Sequence, residues 1–139
     1  MNLENKIFFD NDISTSSILD KKVGIIGYGN QGRAQALNLR DSKVSVAIGV
    51  RKKSSSVNQI KEDGIVFMDI QNLIEQSDVI SLMVPDDQID ALLSKYSLKF
   101  KQKQTILVSH GYSIIYGTAK IPKYINVVMV APSGGGKIV

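Results

Sequence analysis

The chain has no cysteine, one histidine (His110), three prolines and few aromatic residues, which make up 6% of its 139 residues. Without cysteine it can form no disulfide, thiolate nucleophile, iron-sulfur cluster or cysteine-based zinc site. A single histidine also excludes a multi-histidine metal site. Ser109 precedes His110, but neighbours on an extended strand point to opposite faces, so a hydrolytic serine-histidine pair is not expected.

Charge and hydropathy narrow the class of protein further. The 17 lysines and arginines exceed the 13 acidic residues, and the net charge of +4 is spread along the chain. Nucleic-acid binding needs a clustered basic face, so no nucleic-acid partner is expected. Residues 1–10 lack the basic start and long apolar stretch of a secretory signal, and no segment approaches the roughly 20 apolar residues of a membrane span. We therefore expect no membrane partner and a cytoplasmic location.

Short apolar runs alternate along the chain with segments of helical spacing. With 43% apolar and 22% charged residues, the composition is that of a globular protein with a buried core. The run at 79–84 (VISLMV) is continuous, as in a strand covered on both faces. Strands are predicted at 22–27, 44–49, 65–68, 79–84, 105–109 and 126–131, and helices at 31–41, 57–63, 70–76 and 86–94.

This alternation predicts an α/β protein, namely a single Rossmann-like domain with a doubly wound parallel sheet and helices on both faces. The length of 139 residues leaves room for one domain. We expect residues 1–20 to be an N-terminal extension that packs on the domain, and residues 21–139 to be the domain itself.

The segment 27–32 (GYGNQG) matches the pattern GxGxxG, and it stands between a predicted buried strand and a predicted helix. Glycines at these positions permit a tight turn and a close approach of the backbone to a ligand. A pyrophosphate can then lie against the N-terminus of the helix. The context therefore predicts a dinucleotide-binding loop rather than a plain glycine turn.

The end of the second predicted strand discriminates between cofactors. NAD sites commonly place an acidic residue about 20 residues beyond the glycines to bind the ribose 2'-hydroxyl. Here the segment 49–56 (GVRKKSSS) has no acid. Arg51 with the hydroxyls of Ser54 and Ser56 suits the 2'-phosphate of NADP, with Lys52 and Lys53 adding positive charge. The other interpretation is a solvated basic loop.

These motifs resemble the N-terminal NADP-binding domain of ketol-acid reductoisomerases, also called acetohydroxy acid isomeroreductases. The likeness runs through 27–42 (GYGNQGRAQALNLRDS), 49–56, 85–88 (PDDQ), 109–112 (SHGY) and 130–136 (VAPSGGG), and includes 8–10 (FFD) ahead of the first strand. It covers about residues 5 to 139. Because the motifs are long and keep their order, chance agreement is not a good explanation.

The resemblance implies an NADPH enzyme of branched-chain amino-acid synthesis. Such enzymes isomerise a 2-acetohydroxy acid by a magnesium-dependent alkyl migration and then reduce the product to a 2,3-dihydroxy acid. Carried over by motif, His110 is the catalytic histidine near the nicotinamide and substrate; a hydrogen-bonded histidine at a strand end is the other interpretation. The cofactor-binding residues would be Gly27, Tyr28, Gly29, Asn30, Gln31, Gly32, Arg51, Ser54, Ser56, Asp86, Asp87, Gln88 and Gly136.

The chain also departs from the family pattern. The family has a lysine after Ala-Pro where this chain has Ser133, and a proline and a histidine where it has Gly135 and Lys137. The family continues beyond the position of Val139 into a helical domain that supplies magnesium-binding carboxylates. Neither acidic pair here, at 62–63 or 86–87, offers the oxygen cage that Mg²⁺ prefers, and both are expected to be solvated or capping groups. We therefore expect no metal site in this chain, and Mg²⁺ only where that domain is supplied.

Three functional hypotheses remain open. The first is the NADP(H)-binding domain of a ketol-acid reductoisomerase, not catalytic as this chain alone, with a 2-acetohydroxy acid as substrate once completed. The second is a non-catalytic NADP-binding or regulatory module that forms a homo-oligomer or pairs with a full-length paralogue. The third is another small Rossmann reductase, such as an imine or deazaflavin-linked enzyme.

Overall fold

The computed structural model describes residues 7–118 and 121–134, which form one parallel sheet with helices on both faces. The strands are β1 (Lys22–Ile26), β2 (Ser45–Val50), β3 (Val66–Asp69), β4 (Val79–Leu82), β5 (Thr105–Val108) and β6 (Asn126–Met129). The helices are α1 (Ser16–Leu19), α2 (Asn30–Asp41), α3 (Val57–Glu62), α4 (Ile70–Gln76), α5 (Asp86–Tyr96) and α6 (Tyr112–Tyr116), with 3-10 turns at Asp10–Asp12 and Ser97–Lys99.

The strand order β3-β2-β1-β4-β5-β6 is the Rossmann order, and all five strand pairs are parallel. The chain builds outward from β1 to β3, then crosses back so that β4 pairs with the other side of β1. Val23 of β1 is thus in register with Val46 of β2 and Val79 of β4. The predicted fold class is confirmed. Because the order in which strands are added reverses between β1 and β4, a crevice opens at the carboxyl ends of these two parallel strands.

Two apolar clusters, one on each face, hold the helices against the sheet. Because successive strand residues point to opposite faces, Ile25 packs with Ala36 of α2 and Ile60 of α3, whereas Ile26 packs on the other face with the cluster that contains Leu73 of α4. All five side chains are almost fully buried. Burial of an aliphatic side chain of this size contributes about 1.5 to 3 kcal/mol.

The structure differs from the sequence prediction in where some strands end and in two short helices. The predicted strand 126–131 ends at Met129, and all four residues of β6 are exposed rather than buried. The predicted strand 79–84 ends at Leu82, because the chain then turns into the loop before α5; its central residues Ile80 and Ser81 are buried, as expected for a covered strand. Helices α1 and α6 were not predicted, since four or five residues are too few to show a helical period.

The N-terminal segment is described from residue 7. Phe8 and Phe9 are exposed, whereas Ile18 of α1 packs against the cluster that contains Ile25. Packing of residues 1–20 on the domain therefore stays a prediction for most of that segment. Among the residues that the structure describes, no helix has the length and apolar character needed to cross a membrane.

Candidate functional site

Two positions of the loop from β1 to α2, Gly27 and Gly32, can hold only glycine. Gly27 has a φ of +104°, a conformation that L side chains rarely adopt, and a Cβ there would overlap the carbonyl oxygen of Met83. A Cβ on Gly32 would overlap the carbonyl oxygen of Gly27. These two positions therefore let the loop pack against the end of β4 and let α2 begin directly beneath the loop.

The middle glycine, Gly29, has a different environment. No described atom lies within 4 Å of a Cβ built on it, so the backbone here faces open space. Gly29 is also the N-cap of the 12-residue helix α2, and no described side chain caps that helix end. The first turn of α2 contains no acidic residue. An uncapped helix N-terminus carries free N–H groups and a partial positive charge, so this position can accept a phosphate group.

A cleft of about 640 Å³ lies in front of this loop and brings most of the predicted site residues together. Its wall is formed by the carboxyl ends of β1, β2 and β4 and by one side of α5. The predicted residues that line it are Gly27, Tyr28, Gly29, Arg51, Ser54, Ser56, Asp87 and Gln88. Asn30, Gln31 and Gly32 open α2 next to it, and Gln31 Nε2 donates a hydrogen bond to the carbonyl oxygen of Gly134.

The basic segment after β2 forms one side of the cleft. Arg51 and Lys53 are exposed, and no carboxylate of residues 7–118 or 121–134 forms an ion pair with either of them. The segment is held by a turn in which Ser54 N donates to Arg51 O at 3.0 Å and Ser56 N donates to Ser54 Oγ at 3.3 Å. Arg51 and Lys53 therefore give the cleft positive charge that the described part of the protein does not neutralise.

Asp69 at the end of β3, the register partner of Val50 at the end of β2, does not replace the missing acid of β2. Its Oδ1 accepts a hydrogen bond from Asn72 N at 3.0 Å and so caps α4. Asp69 is not among the residues that line the cleft. The segment that follows β2 thus has no carboxylate of its own, and Asp87 of α5 is the one carboxylate among the described residues that line the cleft.

Tyr28 turns its hydroxyl away from the cleft toward Asp63, the residue that follows α3. Tyr28 Oη donates to Asp63 Oδ2 at 2.8 Å, and Arg33 donates through Nε to Oδ2 at 2.7 Å and through Nη2 to Oδ1 at 2.8 Å. The Asp63 side chain is only 9% exposed. Asp63 is the C-cap residue of α3, but its carboxylate is not solvated, because its partners come from α2 and the glycine loop, about 30 residues earlier.

This network shifts the pKa values of its members. Hydrogen bonds from Arg33, and to a smaller degree from Tyr28, lower the pKa of Asp63 from 3.8 to about 2, although burial acts in the opposite direction. Burial of the ring, with the hydrogen bond to Asp63, raises the pKa of Tyr28 from 10.0 to about 12. The hydrogen bond to Asp63 also raises the pKa of Arg33. At neutral pH, the carboxylate and the guanidinium are therefore charged and the phenol is neutral.

His110 follows β5 and lies beside the N-terminus of α5 rather than in the cleft lining. Its Nε2 is 2.8 Å from Asp86 Oδ1, an oxygen shielded from water, at ion-pair distance but without the alignment of a hydrogen bond. The His110 side chain is 53% exposed. Asp86 thus faces His110, while Asp87 and Gln88 face the cleft. Ser109 Oγ lies 3.4 Å from Met83 Sδ.

Some predicted positions near the C-terminus lie outside the described residues, and the expectation about a metal site applies only to the described part of the chain. Gly136 lies outside them, as do Gly135 and Lys137, and the exposed Ser133 lies just before their end. Within the described ranges, no three acidic or histidine side chains converge in a way that could hold a metal ion. The donor set described for this chain therefore does not fit Mg²⁺.

Sequence reasoning missed one side of α5, which lines the cleft along its length. Besides Asp87 and Gln88, the lining residues on this helix are Ala91, Leu92, Lys95 and Tyr96. Their spacing of three or four residues was a signal for one helix face, but the sequence alone did not show that this face borders the cleft. Lys95 adds a third positive charge to the lining.

Comparison with known proteins agrees with this geometry. Residues 17–139 match the family model described as "Acetohydroxy acid isomeroreductase, NADPH-binding domain". The chain belongs to this family. The matched region includes the glycine loop, the basic segment and the whole sheet. The third hypothesis, an imine or deazaflavin-linked reductase, is thereby replaced by an NADPH-binding domain of the acetohydroxy acid isomeroreductase type.

Individual relatives show the same likeness over nearly the whole chain. A ketol-acid reductoisomerase (NADP(+)) of Methanococcus maripaludis is 41% identical over 135 residues, which are 96% of this chain and 41% of that protein. One of Helicobacter pylori is 43% identical over 131 residues, covering 94% of this chain and 40% of that protein. The chain thus spans about two fifths of the length of these relatives.

A solved structure of a family member shows the same fold. An NADH-preferring ketol-acid reductoisomerase from an uncultured archean superposes with a TM-score of 0.87 at 32% identity, covering 96% of this chain and 42% of that one. Because this relative is described as preferring NADH, family membership alone does not fix which of the two cofactors a given member prefers.

Proposed function

We propose that this chain binds NADPH in the cleft between the glycine loop, the basic segment after β2 and α5. The pyrophosphate would lie against Gly29 and the N–H groups of Asn30 and Gln31 at the start of α2. The adenosine 2'-phosphate would be held by Arg51, and the hydroxyl groups of Ser54 and Ser56 would donate hydrogen bonds to its oxygens. Two separate features that suit phosphate border one cleft: an N-terminus of α2 that no described side chain caps, and Arg51, which forms no ion pair with a described carboxylate. This observation carries the proposal.

The same residues support a preference for NADPH over NADH. A guanidinium binds a phosphate dianion by charge and by paired hydrogen bonds, whereas the 2'-hydroxyl of NADH would leave Arg51 without that partner. The segment 49–56 at the end of β2 contains no carboxylate to bind the two ribose hydroxyls. Asp87 and Gln88 would border the cofactor from α5, and Gly136 would approach it from beyond β6.

Calorimetric titration of the chain with NADPH and NADH tests this assignment. We expect NADPH to bind at least tenfold more tightly, since each 1.4 kcal/mol is about a factor of ten in affinity. In Arg51→Ala, NADPH affinity should fall by about tenfold or more, and NADH affinity should change little. Lys101→Ala is the matched control, because it removes an exposed positive charge that precedes β5, at the amino ends of the parallel strands, whereas Arg51 follows the carboxyl end of β2. Equal affinity of the unsubstituted chain for NADPH and NADH would contradict the proposal.

For the whole protein we propose the activity named for its relatives, that of a ketol-acid reductoisomerase. This activity would convert a 2-acetohydroxy acid to a 2,3-dihydroxy acid in branched-chain amino-acid biosynthesis, in the cytoplasm. His110 would be the catalytic histidine, handling a proton beside the nicotinamide, with Asp86 next to its Nε2. Mg²⁺ would be held by residues beyond this chain, since the described carboxylates do not form a site for it.

A second candidate is a non-catalytic NADP-binding or regulatory module, as a homo-oligomer or paired with a full-length paralogue. It is favoured by Ser133, which stands where the family pattern has a lysine and cannot supply a fixed positive charge. Oxidation of NADPH, measured with 2-acetolactate and Mg²⁺, separates the two. Turnover by this chain alone would remove the second candidate. Absence of turnover in the native protein with its remaining domain or partner would remove the first.

A further inference from the structure

Asp63 joins three parts of the molecule that surround the proposed cofactor site. Its carboxylate accepts the hydrogen bonds from Tyr28 of the glycine loop and Arg33 of the first turn of α2 described above. Its own carbonyl oxygen accepts a bond from Arg40 Nη1, near the end of α2, at 2.6 Å. Gln59 of α3 approaches Oδ1 at 3.4 Å. One largely buried side chain and its backbone carbonyl thus receive donors from the loop and from both ends of α2.

The position of Asp63 in α3 gives these bonds a consequence for the cleft. Ser56 is the N-cap of α3 and lines the cleft, whereas Asp63 is the C-cap of the same helix and lies about two turns away. A short helix moves as a unit, so Asp63 connects the serine-rich side of the cleft to the glycine-loop side. The distance between the two proposed phosphate-binding regions therefore depends on the Asp63 contacts.

We propose that Asp63 is a positioning residue for dinucleotide binding, holding the glycine loop and the segment 51–56 at the separation that one cofactor molecule spans. This inference rests on the proposed NADPH site but assigns a role to a residue that would not touch the cofactor. The ligand class concerned is a dinucleotide that carries both a pyrophosphate and an adenosine phosphate.

Electrostatics and positioning predict opposite effects of removing this carboxylate. Loss of a negative charge near an anion site would by itself strengthen phosphate binding, and more so because Arg33 would lose its partner. Loss of the connection between the two sides of the cleft would weaken binding of a ligand that needs both sides. The sign of the change in affinity is therefore informative.

The test measures NADPH and adenosine 2'-monophosphate affinities for the unsubstituted chain, Asp63→Asn and Asp63→Ala. We expect NADPH to bind about tenfold more weakly to Asp63→Ala and less weakly to Asp63→Asn, which keeps an acceptor for Tyr28. Adenosine 2'-monophosphate should bind all three alike, because it lacks the 5'-phosphate and its one phosphate would contact only the segment 51–56. Glu62→Gln is the matched control: it removes the neighbouring carboxylate, which contacts Gln59 but not the glycine loop, and should leave both affinities unchanged.

Each other result has a definite meaning. Unchanged or tighter NADPH binding by Asp63→Ala would overturn the positioning role, and so would an equal loss for both ligands, which would indicate general destabilisation. If Asp63→Ala fails to fold, Tyr28→Phe removes one bond of the network, and an NADPH affinity unchanged in that variant would overturn the proposal. An unsubstituted chain that binds neither ligand would instead contradict the NADPH site itself.

Discussion

The three glycines of the β1–α2 loop have different physical roles, although they belong to one motif. Gly27 needs its positive φ, and Gly32 needs the absence of a side chain because the loop passes directly over it. For folding, Gly29 needs neither a positive φ nor the absence of a side chain, since its surroundings are open and its φ of −82° suits any residue. Its lack of a side chain matters only if a ligand occupies the space in front of it.

Alanine substitutions separate these roles. Gly32→Ala forces a Cβ onto backbone, and we expect it to lower the free energy of unfolding by about 1 to 3 kcal/mol or more. Gly29→Ala should leave that free energy nearly unchanged and weaken NADPH binding by about tenfold or more, because the pyrophosphate can no longer approach the backbone. Urea unfolding and calorimetric titration of both variants measure the two effects. Full NADPH affinity in Gly29→Ala would argue against a pyrophosphate at this position.

The residues of the site motifs could be predicted from the sequence, but their long-range partners could not. The glycine loop and the acid-free segment 49–56 are local patterns, and the structure brings them to one cleft. The bond from Tyr28 to Asp63 joins residues 35 positions apart, and no local pattern indicates it. Asp63 was therefore expected to be solvated or capping, as an acid beside a turn usually is.

Among the elements, α4 shows how a single side chain fixes where a helix begins. Asp69 ends β3 and has extended backbone angles, and its carboxylate accepts a hydrogen bond from Asn72 N. This is an N-cap, which satisfies one of the free N–H groups of the first turn. It allows β3 to pass into α4 without a connecting loop, with Ile70 and Leu73 buried on the inner face.

Removal of this cap should cost stability without affecting the cofactor site. We expect Asp69→Ala to lower the free energy of unfolding by about 1 kcal/mol and Asp69→Ser, which keeps an acceptor oxygen, to lower it by less. NADPH affinity should be the same in both, because Asp69 does not line the cleft. Chemical unfolding with a parallel titration checks this, and an equal loss of stability in the two variants would speak against capping.

Strands and longer helices could be predicted from apolar runs and helical spacing, because each of them buries a face. The missed elements bury little: α1 has no buried residue, and α6 buries only Ser113. The exposure of β6 could not be foreseen either, since its apolar run NVVMVA is typical of a covered strand. What covers a strand is decided by the position of distant helices and not by its own residues.

For the molecule as a whole, the Tyr28–Asp63–Arg33 network should limit the pH range of stability. Because the folded state lowers the pKa of Asp63, the contribution of its carboxylate is present above pH 4 and is lost as the pH falls toward about 2. Because the folded state raises the pKa of Tyr28, the contribution of its neutral phenol is present below pH 10 and is lost as the pH rises toward about 12.

Urea unfolding across this range measures both effects. Asp63→Asn should show a smaller loss of stability between pH 4 and pH 2, and Tyr28→Phe a smaller loss between pH 10 and pH 12, than the unsubstituted chain. Arg33 faces Asp63, and the hydrogen bond to Asp63 raises the pKa of its guanidinium, so Arg33 keeps its charge and does not obscure the change. Identical pH dependence in the variants and the unsubstituted chain would show that the network does not couple to folding.

The strand order also predicts how protection from the solvent varies across the sheet. β1 is paired on both sides and its neighbours β2 and β4 are paired in turn, whereas among the described strands β6 pairs only with β5 and has four exposed residues. Deuterium uptake at backbone amides depends on local opening, which needs little free energy at a fraying edge and nearly the full unfolding free energy at the centre. Amides of β6 should therefore exchange first and those of β1 last, so the strand that carries the glycine loop remains closed while the far edge opens.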